Sequence, residues 1–534
     1  MNDAFLWWRD GVIYQIYPRS FADSDGDGLG DLNGITNRLD YIQSLGVDAI
    51  WLSPIYPSPD VDFGYDVSDY TNVDPRFGTL QDFDRLLEAA HQRGLRIVLD
   101  LVLNHTSDQH PWFQESRRDK INPYHDWYLW QDPAPNGGPP NNWASVFGGP
   151  GWEFDPQRGQ YYFHMFYKEQ PDVNWRNPQV RQAMLDVFRF WLERGVDGFR
   201  LDVFNCYFKD AGFRSNPTKV GIRKFDRLIH IHDIDQPDLL PLLEEIRELL
   251  EAYPERYVIG ETFEANAGKA AKYSTGKRLH AAFNFDFLKF KWKPRLFLNG
   301  VQRWEQAMDT ETWPTYVLNN HDVKRIATRI GKGENDERLK VAATFLLTQR
   351  GTPFLYYGEE IGMRDIPVRK RSEIKDPIGR RYWPIMVGRD GCRSPMQWDD
   401  QPHAGFSTGM PWLPIHENAA WRNVAAQEAY PSSLLHFYRR LLHLRRETPA
   451  LRCGMTINLT LDPHAILAYL RQTTDQTVLV ALNFSKRHIP LVLGHELYSA
   501  DWKVLLSSQG ERQSEIEDGM LPLAPNEAVI LLRD

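Results

Sequence analysis

Residues 96–104 read RIVLDLVLN, a near-continuous apolar and β-branched run. Such a run suits a strand buried on both faces, as in a parallel sheet. The segment just before it is helical in period. Thr79 is placed to cap, Leu80, Phe83, Leu86, Leu87 and Ala90 share one face, and Gly94 suits the position after the last turn. Helix, glycine, strand is therefore the local unit.

The unit recurs outward in both directions. Similar runs are VIYQIYP (12–18), AIWLSP (49–54), GFRLDV (198–203), YVIGET (257–262), AAFNFDF (281–287), TYVLNNHD (315–322) and PFLYYGEE (353–360), eight in all. Residues 178–194 form a second helical stripe through Val180, Met184, Val187, Phe188 and Trp191, with Pro178 in the first turn. Gly46, Gly94, Gly195 and Gly351 each stand just before a strand. The runs alone also permit an open doubly wound sheet. The count of eight and the polar strand ends favour a (β/α)8 barrel.

Two stretches break the repeat. Residues 105–174, rich in Trp, Tyr, Pro, Gly and Asn, are expected to form an inserted subdomain after strand three. Residues 361–430 form a second long insertion after strand eight. From about 455 the texture changes to short alternating strands: AILAYLR, TVLVALNF, PLVL, WKVLL and EAVILL. These predict an antiparallel β-sandwich over 455–534, leaving 1–104 and 175–454 to the barrel.

Composition sets the outer bounds. The 534 residues carry 62 basic and 71 acidic side chains, net −9, which argues against a nucleic-acid binder. Three scattered cysteines (Cys206, Cys392, Cys453) make neither a disulfide framework nor a zinc site. No apolar run is long enough to span a membrane and the first residues lack a signal-peptide pattern, so a cytoplasmic enzyme is expected. Aromatic content is high at 13%, and several of these side chains fall in the two insertions.

In such a barrel the chemistry sits at the C-terminal strand ends. There the sequence places Asn104-His105, Arg200-Leu201-Asp202, Glu261 and Asn320-His321-Asp322. A single acid at a strand end is most often a helix cap. Three on one rim, with His and Arg between them, fit glycoside hydrolysis, which typically pairs a nucleophile or base with a general acid. Arg200, on the same strand face as Asp202, is expected to keep that acid ionised. Desolvation is expected to raise Glu261 towards general-acid use.

Two other patterns matter. The loop after strand one reads DSDGDGLGD (23–31), with acids at positions 1, 3, 5 and 9 and a carbonyl at 7, like the first part of a calcium loop; position 12 is Gly34, so it is not a complete EF-hand. Gly405-Phe-Ser407-Thr-Gly409 fits the nucleophile-elbow pattern, but its flanks (DDQPHA and MPWLP) are neither strand nor helix, so a loop is expected.

DLVLNH (100–105), GFRLDV (198–203), GET (260–262) and NNHD (319–322), in this order, resemble the α-amylase superfamily of glycoside hydrolases. QPDVN (170–174), WWRDGVIYQIYPRSF (7–21) and GCRSPMQWD (391–399) resemble its oligo-1,6-glucosidase/α-glucosidase group. The resemblance implies Asp202 as nucleophile, Glu261 as acid/base and Asp322 as transition-state stabiliser. It implies sugar contacts by His105 and His321, with Arg200 partnering the nucleophile and Tyr65 stacking on the terminal glucose. Asp62 and Arg393 would close the pocket, Phe147 and Phe166 would wall it, and Lys209 would lie near the leaving sugar. Val203, after the nucleophile, accompanies α-1,6 preference in that group, or is simply a good strand residue. The resemblance also implies a structural Ca2+, with Mg2+ as the alternative, on Asp23, Asp25, Asp27, the Leu29 carbonyl and Asp31. The expected partner is a short gluco-oligosaccharide, with no nucleic acid, membrane or catalytic metal. The expected activity is exo-acting and retaining. A transglucosidase or glucosyl isomerase on the same site is the alternative, and a non-catalytic binding subunit ranks last.

Overall fold

All eight runs form strands: β1 (Ile13–Ile16), β2 (Ala49–Leu52), β3 (Arg96–Leu101), β4 (Gly198–Leu201), β5 (Tyr257–Gly260), β6 (Ala281–Ala282), β7 (Thr315–Val317) and β8 (Thr352–Tyr356). The computed structural model describes residues 5–533 apart from 264–265, 309–311, 332, 334, 461–462, 499–500 and 513–515. The strands lie in the order β7-β8-β1-β2-β3-β4-β5-β6, each adjacent pair parallel. The two ends of this sheet meet. The Thr315 hydroxyl, at the start of β7, donates to the carbonyl of Ala282, at the end of β6, at 3.0 Å. The sheet is therefore a barrel rather than an open doubly wound sheet, its seam held by a side chain instead of a backbone ladder.

Helices flank the strands as the periodicity predicts. Thr79 caps Leu80–Gln92 in a reciprocal box with Asp82, and Asn177 caps Pro178–Glu193. Gly46, Gly94, Gly195 and Gly351 all have positive φ (89°, 74°, 103° and 141°), so glycine turns the chain from helix to strand. β6 is shorter than its run because Asn284 accepts the Asp286 amide and turns the chain into the 3-10 segment Asp286–Lys289.

Within the barrel, side chains alternate with period two. Ile13, Ala49, Trp51, Val98, Tyr257, Ile259, Val317 and Phe354 pack as one inner cluster. Gln15, Asp100 and Arg200 follow on the same parity towards the C-terminal ends, so polar side chains line the interior beneath the rim.

The first insertion carries a three-stranded antiparallel sheet: Trp130–Gln131 and Trp152–Asp155 flank Gln160–Phe163. After β8, Glu359 and Glu360 are both buried. Glu359 accepts from Asn319 (2.9 Å) and Tyr438 (3.1 Å), and Glu360 from Tyr14 (2.8 Å) and Tyr41 (2.7 Å). At the C-terminal end, five antiparallel strands run in the order Met455–Asn458, Ile466–Gln472, Thr477–Asn483, Ala528–Arg533, Lys503–Ser507. One face (Leu467, Tyr469, Val478, Val480, Ile530) packs on the main core. The other (Ala468, Leu470, Leu479, Ala481, Leu531) packs on the paired strands Ile489–Val492 and Met520–Leu523. This is the expected sandwich. Cys206, Cys392 and Cys453 are free thiols. Among the described residues no helix is long and apolar enough to cross a membrane.

Burial pushes the Glu359 carboxyl up to about 8. The folded chain then holds a proton that the unfolded chain gives up near its ordinary value. Stability falls as pH rises from about 4.5 towards about 8 and levels above it. Glu359→Gln is expected to flatten this slope and to raise the melting temperature at pH 8.5 by a few degrees relative to wild type. An unchanged slope in thermal scans from pH 5 to 9 would show that Glu359 is ionised in the fold.

Candidate active site

Asp202 owes its position to strand parity. Asp100 of β3 and Arg200 of β4 are direct neighbours in the parallel ladder, and Asp202 lies two residues beyond Arg200, again inward. The Arg200 guanidinium is fully buried and donates to Asp100 at 2.6 Å and Asp202 at 2.7 Å through Nη1, and to Glu261 through Nη2. Three carboxylates thus converge on one cation at the top of β3, β4 and β5.

Arg200 does not favour Asp202 alone. Burial raises Asp202 well above the ordinary carboxylate range and Arg200 only partly offsets it; Glu261 and Asp100 push it further up. Burial likewise raises Glu261. Asp202 and Glu261 also hydrogen-bond each other. Asp202 therefore does not titrate alone, and the titration of the pair belongs to both groups together. This corrects the expectation that Arg200 would by itself hold Asp202 ionised. The raised Glu261 agrees with general-acid use.

Asp322 sits on the far side of the rim with the opposite polarity. Burial would raise it, but the contact with His321 and the charges of Arg393 and Arg389 outweigh that and hold it well below the ordinary range. Arg393 donates to its Oδ1 at 2.9 Å and Arg389 reaches the same oxygen at 3.5 Å. His105 and His321 are pushed down by burial to about 4 and about 3, so both rings are neutral at working pH. His105 Nε2 faces the Tyr65 carbonyl at 2.9 Å, and His321 stacks on the Tyr65 ring with a 3° interplanar angle.

These groups enclose a pocket of about 240 Å3, lined by Asp62, Tyr65, His105, Val146, Phe147, Phe166, Asp202, Val203, Glu261, Phe263, His321, Asp322 and Arg389. It is small for a ligand pocket, about 300–1,000 Å3 being usual, and suits a compact ring rather than a long chain. Its apolar wall comes from the first insertion, where Phe147 and Phe166 pack in one cluster with Val203. Val203 has φ 35° and ψ 39°, a left-handed conformation that is strained for a β-branched side chain. It is therefore not the relaxed strand residue its type suggests.

The closing pair differs from the one expected. Asp62 pairs with Arg389 at 2.8 Å, not with Arg393. Arg389 is fixed from behind by Asp376 at 2.9 Å, while Arg393 donates to Asp322 and to the His321 carbonyl. Sequence reading missed Arg389, four residues before Arg393, and also Asp100 and Gln170. Gln170 donates to Asp62 (3.3 Å) and the Tyr65 carbonyl (3.0 Å). Lys209 does not line the pocket. It is buried and holds Asp172 at 2.5 Å and Asn104 at 2.9 Å, joining the insertion to the end of β3. A separate cleft of about 290 Å3 between insertion and barrel is lined by Asp126 and by Asp210, which is tied to Arg214.

In the acidic loop, Asp23, Asp25 and Asp27 offer carboxylate oxygens all within 4.8 Å of one another. This hard, all-oxygen set fits Ca2+ or Mg2+. Asp31, expected as a further ligand, lies outside this group. It accepts from the Ser24 amide (2.7 Å) and hydroxyl (2.9 Å), and it caps the helix Leu32–Asn37 through the Gly34 amide (2.7 Å). Ser407 is no nucleophile. It lies in a loop, as its flanks predict, and donates to Asp23 at 2.5 Å.

Known proteins resemble this chain over most of its length. The α-amylase catalytic-domain model matches residues 15–454, and the C-terminal-domain model of the α-amylase SusG matches 466–530. A probable α-glucosidase of Rhizobium meliloti is 45% identical over 495 residues, 90% of this chain and 89% of that one. An oligo-1,6-glucosidase of Parageobacillus thermoglucosidasius is 40% identical over 517 residues, covering 90% and 91%. The crystal structure of an α-glucosyl transfer enzyme, XgtA, superposes with a TM-score of 0.93 at 43% identity, covering 99% of this chain and 100% of that one. The trehalulose synthase MutB from Pseudomonas mesoacidophila superposes with a TM-score of 0.90 at 34% identity over 99% and 100%.

Proposed function

This chain belongs to the α-amylase family of glycoside hydrolases, and from that premise we propose that it is an exo-acting, retaining α-glucosidase of short α-gluco-oligosaccharides. The observation that carries the reading is the small pocket, closed at one side by the Asp62–Arg389 pair, with Asp202, Glu261 and Asp322 around it. A closed end admits a terminal glucose and leaves the rest of the chain outside.

In the first step an Asp202 oxygen attacks the anomeric carbon while Glu261 gives its proton to the departing glycosidic oxygen. A β-glucosyl-aspartate forms and the shortened sugar leaves. In the second step Glu261 takes a proton from water, the water oxygen attacks the same carbon, and the ester to Asp202 breaks. Two inversions release α-glucose. Asp322, ionised throughout, stabilises the positive charge of both transition states.

The test is a panel of maltose, isomaltose, sucrose, trehalose and starch, with the product anomer followed by NMR. α-Glucose from the short oligosaccharides and little from starch is the expected outcome; β-glucose first, or internal cleavage of starch, would sink the reading. Val203→Thr is run beside the wild type. A fall in the isomaltose-to-maltose ratio is expected if the branched side chain shapes the space beyond the scissile bond.

Glucosyl transfer to a sugar hydroxyl on the same intermediate is the second reading. It is favoured by the close superposition on a glucosyl-transfer enzyme. Product analysis at high sugar concentration separates the two. The acidic loop is proposed to bind a structural Ca2+, or Mg2+, through Asp23, Asp25, Asp27 and the Leu29 carbonyl. Chelation is expected to lower the melting temperature and added Ca2+ to restore it. A midpoint and activity unmoved by chelator would remove the metal.

A further inference from the structure

Gln15 is buried on β1, on the inward parity, and does not itself line the pocket. Its amide nitrogen lies 2.8 Å from Nδ1 of His321 and 3.3 Å from the Ser53 hydroxyl. On the other side of the ring, Nε2 of His321 lies 2.7 Å from the Tyr65 hydroxyl oxygen and 3.2 Å from Oδ2 of Asp322. The Tyr65 hydroxyl donates to Asp100 Oδ2 at 3.0 Å.

The proton inventory closes once the Tyr65 hydroxyl is the donor to Asp100. Asp100, paired with Arg200, accepts. Tyr65 has one hydroxyl proton and gives it to Asp100, so its oxygen must accept from His321. Asp322 is ionised and also accepts. Nε2 of His321 therefore carries the ring proton. Nδ1 is then a lone pair in a dry interior, and the Gln15 amide donates to it. We propose that Gln15 is a positioning residue for the glucosidase reaction, fixing His321 in its Nε2–H tautomer and so setting the direction of the chain Gln15–His321–Tyr65–Asp100–Arg200.

This inference rests on the functional reading above, since the chain ends on the cation that holds Asp202 and Glu261. Reversing any link would set two lone pairs, or two hydrogens, against each other. The charged groups facing His321 are Asp322, Arg393, Arg200 and Arg389, with the Tyr65 and Tyr17 rings stacked on its two sides. None of them can replace a donor at Nδ1.

The decisive variant is Gln15→Glu, compared with Gln15→Met, on p-nitrophenyl α-glucoside from pH 5 to 9. The glutamate is an acceptor, so it draws a proton to Nδ1 and raises the His321 pKa. Below the new pKa the ring holds both protons and the chain keeps its direction. Above it the ring is neutral with the wrong tautomer. The expected result is a ratio of kcat/KM at pH 8 to that at pH 5.5 lowered by about ten- to a hundred-fold against wild type, the span of a mispaired buried hydrogen bond. Gln15→Met should lose activity by a similar factor at every pH. A Gln15→Glu profile parallel to the wild type would overturn the proposal. Should that variant not fold, 15N-histidine labelling of the wild type, with His321 assigned by its loss in His321→Gln, reads the tautomer directly. An Nε2-protonated ring without sugar is expected and an Nδ1-protonated ring overturns the proposal, whichever substrate the enzyme prefers.

Discussion

Asp202→Asn is expected to keep the fold and lose at least about 10^4-fold in kcat on every α-glucoside. The substitution changes almost nothing but the chemistry. Asparagine has the volume of aspartate, and its carbonyl oxygen can still accept from Arg200, which the wild-type oxygen does at 2.7 Å. What disappears is the oxygen that bonds to the anomeric carbon. The remaining site, with Glu261 and Asp322 intact, can hold a sugar but has no covalent route to release it. Circular dichroism and the melting temperature should match wild type within a few degrees, while steady-state turnover falls to background. Turnover within about ten-fold of wild type, a barrier change of only about 1.4 kcal/mol, would remove Asp202 from the reaction.

The second large effect is at Glu261. Glu261→Gln is expected to lower kcat/KM on maltose or isomaltose by about 10^2- to 10^4-fold, the usual range for losing a general acid. With p-nitrophenyl α-glucoside the first step should suffer far less, because that leaving group departs without a proton. The pH dependence carries a second signature. Burial raises Glu261, so its protonated form persists above the usual glutamate range and activity falls once that proton is lost. Glutamine does not titrate, so the alkaline limb should vanish in the variant. An equal loss on sugar and aryl substrates, with the limb intact, would assign the proton to another group.

How much of this was legible in the sequence follows from what each signal encodes. A strand buried on both faces must be apolar along its whole length, so all eight barrel strands stood out as runs. Reactive groups at their ends inherit positions from those runs, which made Asp202, Glu261 and Asp322 visible. Arg389 was not visible in this way. It lies in a long insertion with no period, and its partner Asp62 is 327 residues away. Only the fold says which of two nearby arginines reaches that acid. Asp100 and Gln15 left a weaker trace that could have been followed. A polar side chain on the inward parity of a buried strand needs a partner. Asp100 finds Arg200 in the next strand, and Gln15 finds His321. The place of Asp31 shows the reverse case. A calcium-loop pattern and a helix cap ask for the same residue type at the same point, and the sequence does not separate them.

The seam between β6 and β7 has a consequence for how the reactive groups move. Seven of the eight joints in the barrel wall are continuous ladders, and the eighth rests on the Thr315 hydroxyl. A fully laddered wall has a fixed girth. A split ring can open or narrow a little without breaking any backbone hydrogen bond. Asp322, after β7, stands on one lip of the split, and Glu261, after β5, stands one strand in from the other lip. Small changes of girth would therefore shift Asp322 relative to Glu261 more than Asp202 relative to Arg200, which stand on and just after one fully laddered strand.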